Sequence, residues 1–156
     1  MRGKQAKKRI LTHDPIYRSI EVTKFINYVM KNGKKNIART IVYKSLENAG
    51  KQLKLKPIDV FTQAINNIKP KMEVRSRRVG GANYQVPVPV APDRQQALAF
   101  RWIVNAAREN RKKTDFVKSL SNELVNAYKK EGLAFKKQEE THRMAEANKA
   151  FAHFQW

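Results

Sequence analysis

The sequence has no cysteine among its 156 residues, and acidic residues are few, with 13 Asp and Glu against 33 Lys and Arg. Without cysteine there is no disulfide scaffold, no thiolate metal ligand and no cysteine nucleophile. A reducing compartment fits this composition, so the cytosol is the default expectation. No apolar run approaches the roughly 20 residues of a membrane helix, and the basic start lacks the apolar stretch of a secretory signal.

Residues that support catalysis are also scarce. The three histidines are far apart in the sequence, whereas a zinc site needs clustered ligands. Glu139 and Glu140 are adjacent, but Lys136 and Arg143 lie at the spacing of surface pairs on a helix. The glycines at 80 and 81 are not followed by the Lys-Ser/Thr of a phosphate-binding loop. We therefore predict no enzyme, no metal site and no cofactor.

The excess of cations gives a formal charge of +20, and a field of this sign concentrates polyanions around the protein. Nucleic acid and an anionic membrane surface are the two candidate partners. No segment pairs a cationic side with an exposed bulky apolar side, as a membrane-surface helix would. The composition therefore favours nucleic acid and no membrane.

Apolar residues recur at helical spacing along most of the chain and predict six helices. The predicted helices run from Ser19 to a stop at Gly33, from after Lys34-Lys35, between Pro57 and Pro70, from Asp93, from after Thr114 to Gly132, and from about Leu133. Asp93 and Gln96 have the spacing of a capping box, which is why the fourth helix is predicted to start there. The last helix ends in several aromatic residues, which indicates a surface element that docks on something else.

A period of two begins at Lys71 and predicts a β-hairpin over residues 71–91. Gly80-Gly81-Ala82-Asn83, between the two alternating runs, tolerate the positive φ angles of a turn. Pro87 and Pro89 are two residues apart, so both lack an N–H on the same strand edge. This pattern predicts an isolated two-stranded arm rather than a strand within a larger sheet.

Together these elements predict one mainly α domain over residues 1–156, with six helices and a protruding two-stranded β-hairpin between the third and fourth. Residues 1–13 carry five cations and no acid before Asp14, and they are expected to form a flexible basic arm. Residues 133–156 are expected to form a peripheral helix and tail.

Cations cluster in the arm, in the turn before the second helix, in the hairpin and along the fourth helix. Arginine, whose planar fork holds a phosphate with two hydrogen bonds, dominates the hairpin and the fourth helix. Several basic surfaces on one small body suit folded RNA, although the arginine stripe of the fourth helix also fits a solvated face. The candidate RNA contacts are Arg2, Lys4, Lys7, Lys8, Arg9, Lys34, Lys35, Arg75, Arg77, Arg78, Arg94, Arg101, Arg108, Arg111, Lys112 and Lys113.

Several long stretches resemble one known family. They are Pro70–Val88, Phe100–Val104, His142–His153, Asp14-Pro15 and Asn32–Lys35. In this order and spacing they are similar to the bacterial-type small-subunit ribosomal protein seven family, from residue 8 to the end. The resemblance implies a helical domain with a β-ribbon that binds the 3′ major domain of small-subunit ribosomal RNA and nucleates assembly of the subunit head.

The resemblance also implies further partners. The basic residues above would face the RNA. The ribbon tip would point towards exit-site transfer RNA and messenger RNA, and its residues are Gly80, Gly81, Ala82, Asn83 and Tyr84. Neighbouring head proteins and a platform protein would be protein partners of a chain that is monomeric when free. Its location would be a ribosome, of the cytoplasm or of an organelle, and some relatives repress translation of their own messenger.

Two other functions compete with the ribosomal one. A DNA-binding protein would use the ribbon in a groove, and readers of that kind often form symmetric dimers. An RNA-processing nuclease would need a metal site or an acid–base pair, and the sequence contains neither pattern.

Overall fold

The computed structural model describes residues 3, 9–110 and 114–154. Within them the chain forms six α-helices, one two-stranded antiparallel sheet and a final 3-10 helix. In chain order these are α1 (Ile20–Val29), α2 (Lys35–Leu53), α3 (Pro57–Ile68), β1 (Met72–Val79), β2 (Ala82–Pro89), α4 (Pro92–Asn110), α5 (Phe116–Tyr128), α6 (Gly132–Ala147) and the 3-10 helix (Lys149–Phe154). The predicted fold class is confirmed, because the hairpin lies between α3 and α4 of a single, mainly helical domain.

The apolar faces of the helices meet in one core. Phe25 of α1, Phe61 of α3 and Phe100 of α4 are fully buried there. The ring centroid of Phe25 lies 5.3 Å from those of both Phe61 and Phe100, within the range of favourable aromatic pairs. Leu120 and Leu124 of α5 are also fully buried. Because α4 turns this side inward, its arginine-bearing side is left at the surface.

The hairpin closes through a shorter turn than the sequence suggests. Val79 pairs with Ala82, so only Gly80 and Gly81 form the turn, with φ angles of 56° and 89°. Positive φ at both central residues is the type I′ geometry of two-residue hairpins. Ala82 and Asn83, predicted within the connection, instead belong to β2.

The two prolines of β2 lie where a strand tolerates them. The backbone N–H of Val90 donates to the Lys71 carbonyl over 3.0 Å, which makes that pair a hydrogen-bonded one. Pairs alternate along an antiparallel ladder, so Pro89 and Pro87, opposite Met72 and Val74, occupy the non-bonded pairs. Neither missing N–H therefore removes a bond between the strands, and the two-stranded sheet has the isolated form predicted.

Three predicted helix ends are wrong by a few residues. α1 ends at Val29 rather than near Gly33, because Met30 already leaves helical geometry with a ψ of 137°. α4 begins at Pro92, so Asp93 lies in its first turn and is not the N-cap; proline suits this position because its N–H would be unbonded there anyway. α5 ends at Tyr128 rather than at Gly132, and Gly132 is instead the first residue of α6.

A buried acid anchors the chain just before α1. Asp14 is 3 % exposed, and its Oδ2 accepts from the backbone N–H of Ile16 and Tyr17 over 3.1 and 3.0 Å. The Tyr43 hydroxyl of α2 donates to Asp14 Oδ1 over 2.6 Å. Burial, together with this bond, raises the pKa of Tyr43 to about 12. These bonds hold the chain against α2 at the point where the predicted N-terminal arm joins the helical domain.

A second buried acid, Glu123 of α5, holds the start of α6. Its Oε1 accepts from the backbone N–H of Ala134 over 2.9 Å, satisfying a donor that a helix leaves unpaired in its first turn. Burial raises the pKa of Glu123 despite this bond. A Cβ on Gly132, which has φ +88°, would lie 2.9 Å from the same oxygen, so only glycine fits at this helix start.

Candidate nucleic-acid interface

An ion-pair cluster joins the base of the hairpin to α4. Glu73 of β1 has an 8 % exposed side chain, and its Oε2 lies 2.7 Å from Nε of Arg94. Its Oε1 lies 2.7 Å from Nη2 of Arg75. Both arginine side chains remain about half exposed, at 52 % and 49 %. Two predicted RNA contacts are therefore brought together by an acid to which sequence reasoning gave no role.

The cluster favours the ionised form of its acid. Burial by itself raises the pKa of Glu73, but the hydrogen bonds and charges of Arg94 and Arg75 outweigh it and hold the pKa below its ordinary value of 4.5. A depressed pKa means that the ionised carboxylate stabilises the fold above pH 4.5, and that this contribution is lost as the pH falls through the folded-state pKa.

We expect Glu73→Gln to lower the free energy of unfolding by about 1 kcal/mol at neutral pH, a modest figure because both arginines are half solvated. The difference from the native chain should shrink as the pH falls below 4.5 and through the lower folded-state pKa, because Glu73 then becomes protonated in both states. Denaturant unfolding at several pH values measures this. Glu140→Gln is the control, because its ion pair with Lys137 is exposed on both sides. Parallel pH profiles for Glu73→Gln and the native chain would contradict the assignment.

The remaining hairpin arginines lie on different faces of the ribbon. Arg77 is opposite Tyr84 and Arg78 is opposite Asn83. Since successive strand residues point to opposite faces, Arg77 shares the face of Arg75, whereas Arg78, which is exposed, lies on the reverse. The cations of the hairpin therefore do not form one flat patch.

The predicted arginine stripe of α4 continues from the ion-pair cluster. Arg94, Arg101 and Arg108 are seven residues apart, which returns each to the same side of a helix. Arg101 is exposed, and Arg108 donates from Nη2 to the Val29 carbonyl at the end of α1 over 3.3 Å. The stripe thus runs about 21 Å along α4, at 1.5 Å per residue, and ends beside α1.

The turn between α1 and α2 extends this stripe. Lys34 and Lys35 are exposed, and Lys34 lines a small groove together with Arg108. The structure therefore brings the turn and the far end of α4 together. We call this connected set the basic surface, and its members are Arg75, Arg94, Arg101, Arg108, Lys34 and Lys35.

The hairpin tip is partly covered by the end of the chain. Gly80 to Asn83 are exposed, but the Tyr84 ring lies 5.4 Å from that of Phe151 and 5.0 Å from that of Phe154. The aromatic end of the last helix therefore docks on the hairpin of its own chain. The aromatic residues near the end of the sequence predict docking, but they do not identify the hairpin as its target.

Seven of the predicted RNA contacts lie outside the described residues. They are Arg2, Lys4, Lys7, Lys8, Arg111, Lys112 and Lys113. Arg9, the first residue described after this part of the N-terminal segment, is exposed.

The described residues hold no group of three or more His, Cys, Asp or Glu side chains that could bind a metal ion. His142 instead accepts a hydrogen bond at Nε2 from the backbone N–H of Lys71 over 2.9 Å, and so ties α6 to the start of the hairpin. In the same part of the chain, no helix combines the length and hydrophobicity needed to cross a membrane.

These features define the class: a small, strongly basic helical domain with an arginine-rich surface. Comparison with known proteins agrees. The family model of ribosomal protein S7p/S5e matches residues 1–149. The chain is 58 % identical over 156 residues to the small ribosomal subunit protein uS7 of Nautilia profundicola, covering 100 % of both chains.

Two further relatives extend this likeness. The small ribosomal subunit protein uS7 of Mesorhizobium japonicum is 53 % identical over 155 residues, 99 % of each chain. That of Chlamydia trachomatis serovar D is 54 % identical over 152 residues, 97 % of this chain and 96 % of the relative. The chain therefore belongs to the ribosomal protein S7p/S5e family. It is a structural, non-enzymatic, rRNA-binding constituent of the small subunit of the cytoplasmic ribosome.

Proposed function

We propose that the chain binds the 3′ major domain of small-subunit ribosomal RNA and nucleates assembly of the subunit head. The observation that carries this proposal is the basic surface, in which one helix links the hairpin base to the Lys34 turn. A rigid row of cations about 21 Å long can neutralise several phosphates at once. Each neutralised phosphate releases counterions, and the fixed geometry selects a backbone of matching shape.

The ion-pair cluster gives two of these cations a fixed orientation. Glu73 occupies part of the donor set of Arg75 and Arg94, but a guanidinium carries five N–H donors. Both side chains are about half exposed, so donors remain for phosphate oxygens. The Glu73 carboxylate thus holds the two guanidinium groups in place, and its single negative charge does not cancel both of their positive charges.

The hairpin tip and the N-terminal arm have the remaining roles in this proposal. The exposed hairpin tip, Gly80 to Asn83, approaches exit-site transfer RNA and messenger RNA, and Tyr84 does so beneath the aromatic end of the chain. The arm that includes Arg9 contacts the same ribosomal RNA. Other head proteins and a platform protein bind surfaces left clear of RNA.

We expect Arg101→Glu to lower the affinity for the isolated 3′ major domain about tenfold at 0.1 M salt, because one phosphate contact is lost. The slope of log affinity against log salt should fall by about 1. Filter binding or fluorescence anisotropy measures both quantities.

Lys136→Glu is the matched control, because it makes the same change of net charge on α6, at another exposed position. It should bind nearly as the native chain does. Equal losses for the two variants would mean that the overall field, rather than the basic surface, is responsible for binding.

A further inference from the structure

A groove at the far end of the basic surface differs from the rest of it by having an apolar floor. The groove has a volume of about 150 Å³ and is lined by Val29, Ile37, Ile41 and Phe116, among others. Val29 is buried, and Ile41 and Phe116 are partly buried against the core. The apolar floor is therefore the outer edge of the core, left open where α1, α2 and α5 meet.

The rim of this groove is cationic. Lys31 and Lys34 line it from the turn after α1, and Arg108 lines it from the end of α4. The bond from Arg108 Nη2 to the Val29 carbonyl fixes the guanidinium beside the groove. The described lining thus combines three positive charges with an apolar floor and includes no acid.

Ile37 gives the groove an exposed apolar wall. Its side chain is 58 % exposed at the groove wall, whereas the inward-facing Ala38 and Val42 of the same helix are buried. An exposed apolar wall at the end of a basic surface gains free energy when an apolar group covers it on binding.

We propose that this groove holds the base of one unpaired nucleotide of the ribosomal RNA, with its flanking phosphates on Lys31, Lys34 and Arg108. The occupant must combine a flat apolar face with negative charge on its borders, and a nucleotide turned out of its stack has both. The groove is smaller than the roughly 300–1,000 Å³ of a site for a drug-sized ligand, so it suits one base rather than a larger cofactor. This inference rests on the proposed binding of the 3′ major domain.

The first test separates base contact from phosphate contact. Ile37→Ser removes the apolar wall and leaves every charge in place. Its affinity for the isolated 3′ major domain should fall about fivefold, the lower end of the range for a stacked base, with an unchanged salt slope. Lys34→Gln should instead reduce the slope. Leu55→Ser is the control, since Leu55 is also an exposed apolar residue, 44 % exposed, and lies just beyond the C-terminal end of α2.

The second test identifies the occupant. A photoreactive benzophenone amino acid at position 37 should crosslink the domain RNA at one unpaired nucleotide. Replacing that nucleotide by an abasic one should weaken binding of the native chain but add little to the defect of Ile37→Ser.

The outcomes separate this inference from the proposed function. If the native chain selects the domain RNA while Ile37→Ser binds as tightly as the native chain, the groove proposal fails and the proposed function stands. Crosslinks spread over paired nucleotides, or a crosslink only to a protein in assembled subunits, would also overturn it. If the native chain does not prefer the domain RNA over transfer RNA, both proposals fail.

Discussion

Replacing Phe100 by alanine is expected to lower the free energy of unfolding by about 3–5 kcal/mol. The side chain is fully buried, and its ring centroid lies 5.5 Å from that of Tyr28 and 6.2 Å from that of Phe61. Truncation therefore removes both the burial of one ring and its edge and stacking contacts. Since domains of this kind are stable by only about 5–15 kcal/mol, the loss is a large share of the total.

Denaturant unfolding with an unchanged slope measures this loss. Phe100→Leu, which fills most of the space, should lose clearly less and serves as the control. A loss below about 1 kcal/mol for the alanine variant would mean that the core collapses around the gap. The packing of Phe100 against Phe25 and Phe61 would then contribute little to stability. Because the neighbouring Arg101 belongs to the basic surface, the packing of Phe100 also fixes the side of α4 that carries this surface.

The second large effect is expected at the hairpin. Arg77→Ala combined with Arg78→Ala should lower the affinity for the domain RNA by up to about a hundredfold at 0.1 M salt, because each phosphate contact contributes roughly tenfold there. The salt slope should fall by about 1.8 if both arginines bind duplex phosphates. Adjacent strand residues face opposite ways, so the double variant removes one cation from each face of the ribbon.

The single variants and a charge control complete this experiment. If RNA contacts both faces, each single variant should give about half of the loss in logarithmic terms. Lys136→Ala with Lys137→Ala removes the same charge from α6, where both lysines are exposed, and should bind nearly normally. An unchanged slope for the arginine double variant would remove the hairpin from the interface.

Much of the fold was predictable because it depends on local pattern. The apolar period around Phe25 and Phe61 identified buried helix faces, and the alternation around Gly80 identified the hairpin. Helix ends were less accurate, since a sequence signal such as the capping-box spacing at Asp93 competes with the preference of Pro92 for a first turn.

The candidate site was predictable in its charges but not in its contacts. The sequence identifies Arg75 and Arg94 as cations, yet it does not show that Glu73 lies between them. The two arginines are 19 positions apart and come together only through the tertiary fold. The aromatic tail likewise signals docking, but its target, Tyr84, is far away in the sequence. The groove beside Ile37 arises where three helices meet, and periodicity within any one helix cannot show it.

The proposed function requires that a shaped basic surface, and not net charge alone, recognises ribosomal RNA. The most direct measurement is a competition experiment in which the native chain is bound to the isolated 3′ major domain, and transfer RNA or duplex DNA is added at moderate and at high salt. We expect binding that survives both competitors at high salt, because fixed geometry adds contacts that a uniform polyanion does not share. Equal displacement by every polyanion would show that the formal charge of +20 alone is responsible for binding, and it would contradict the proposed function.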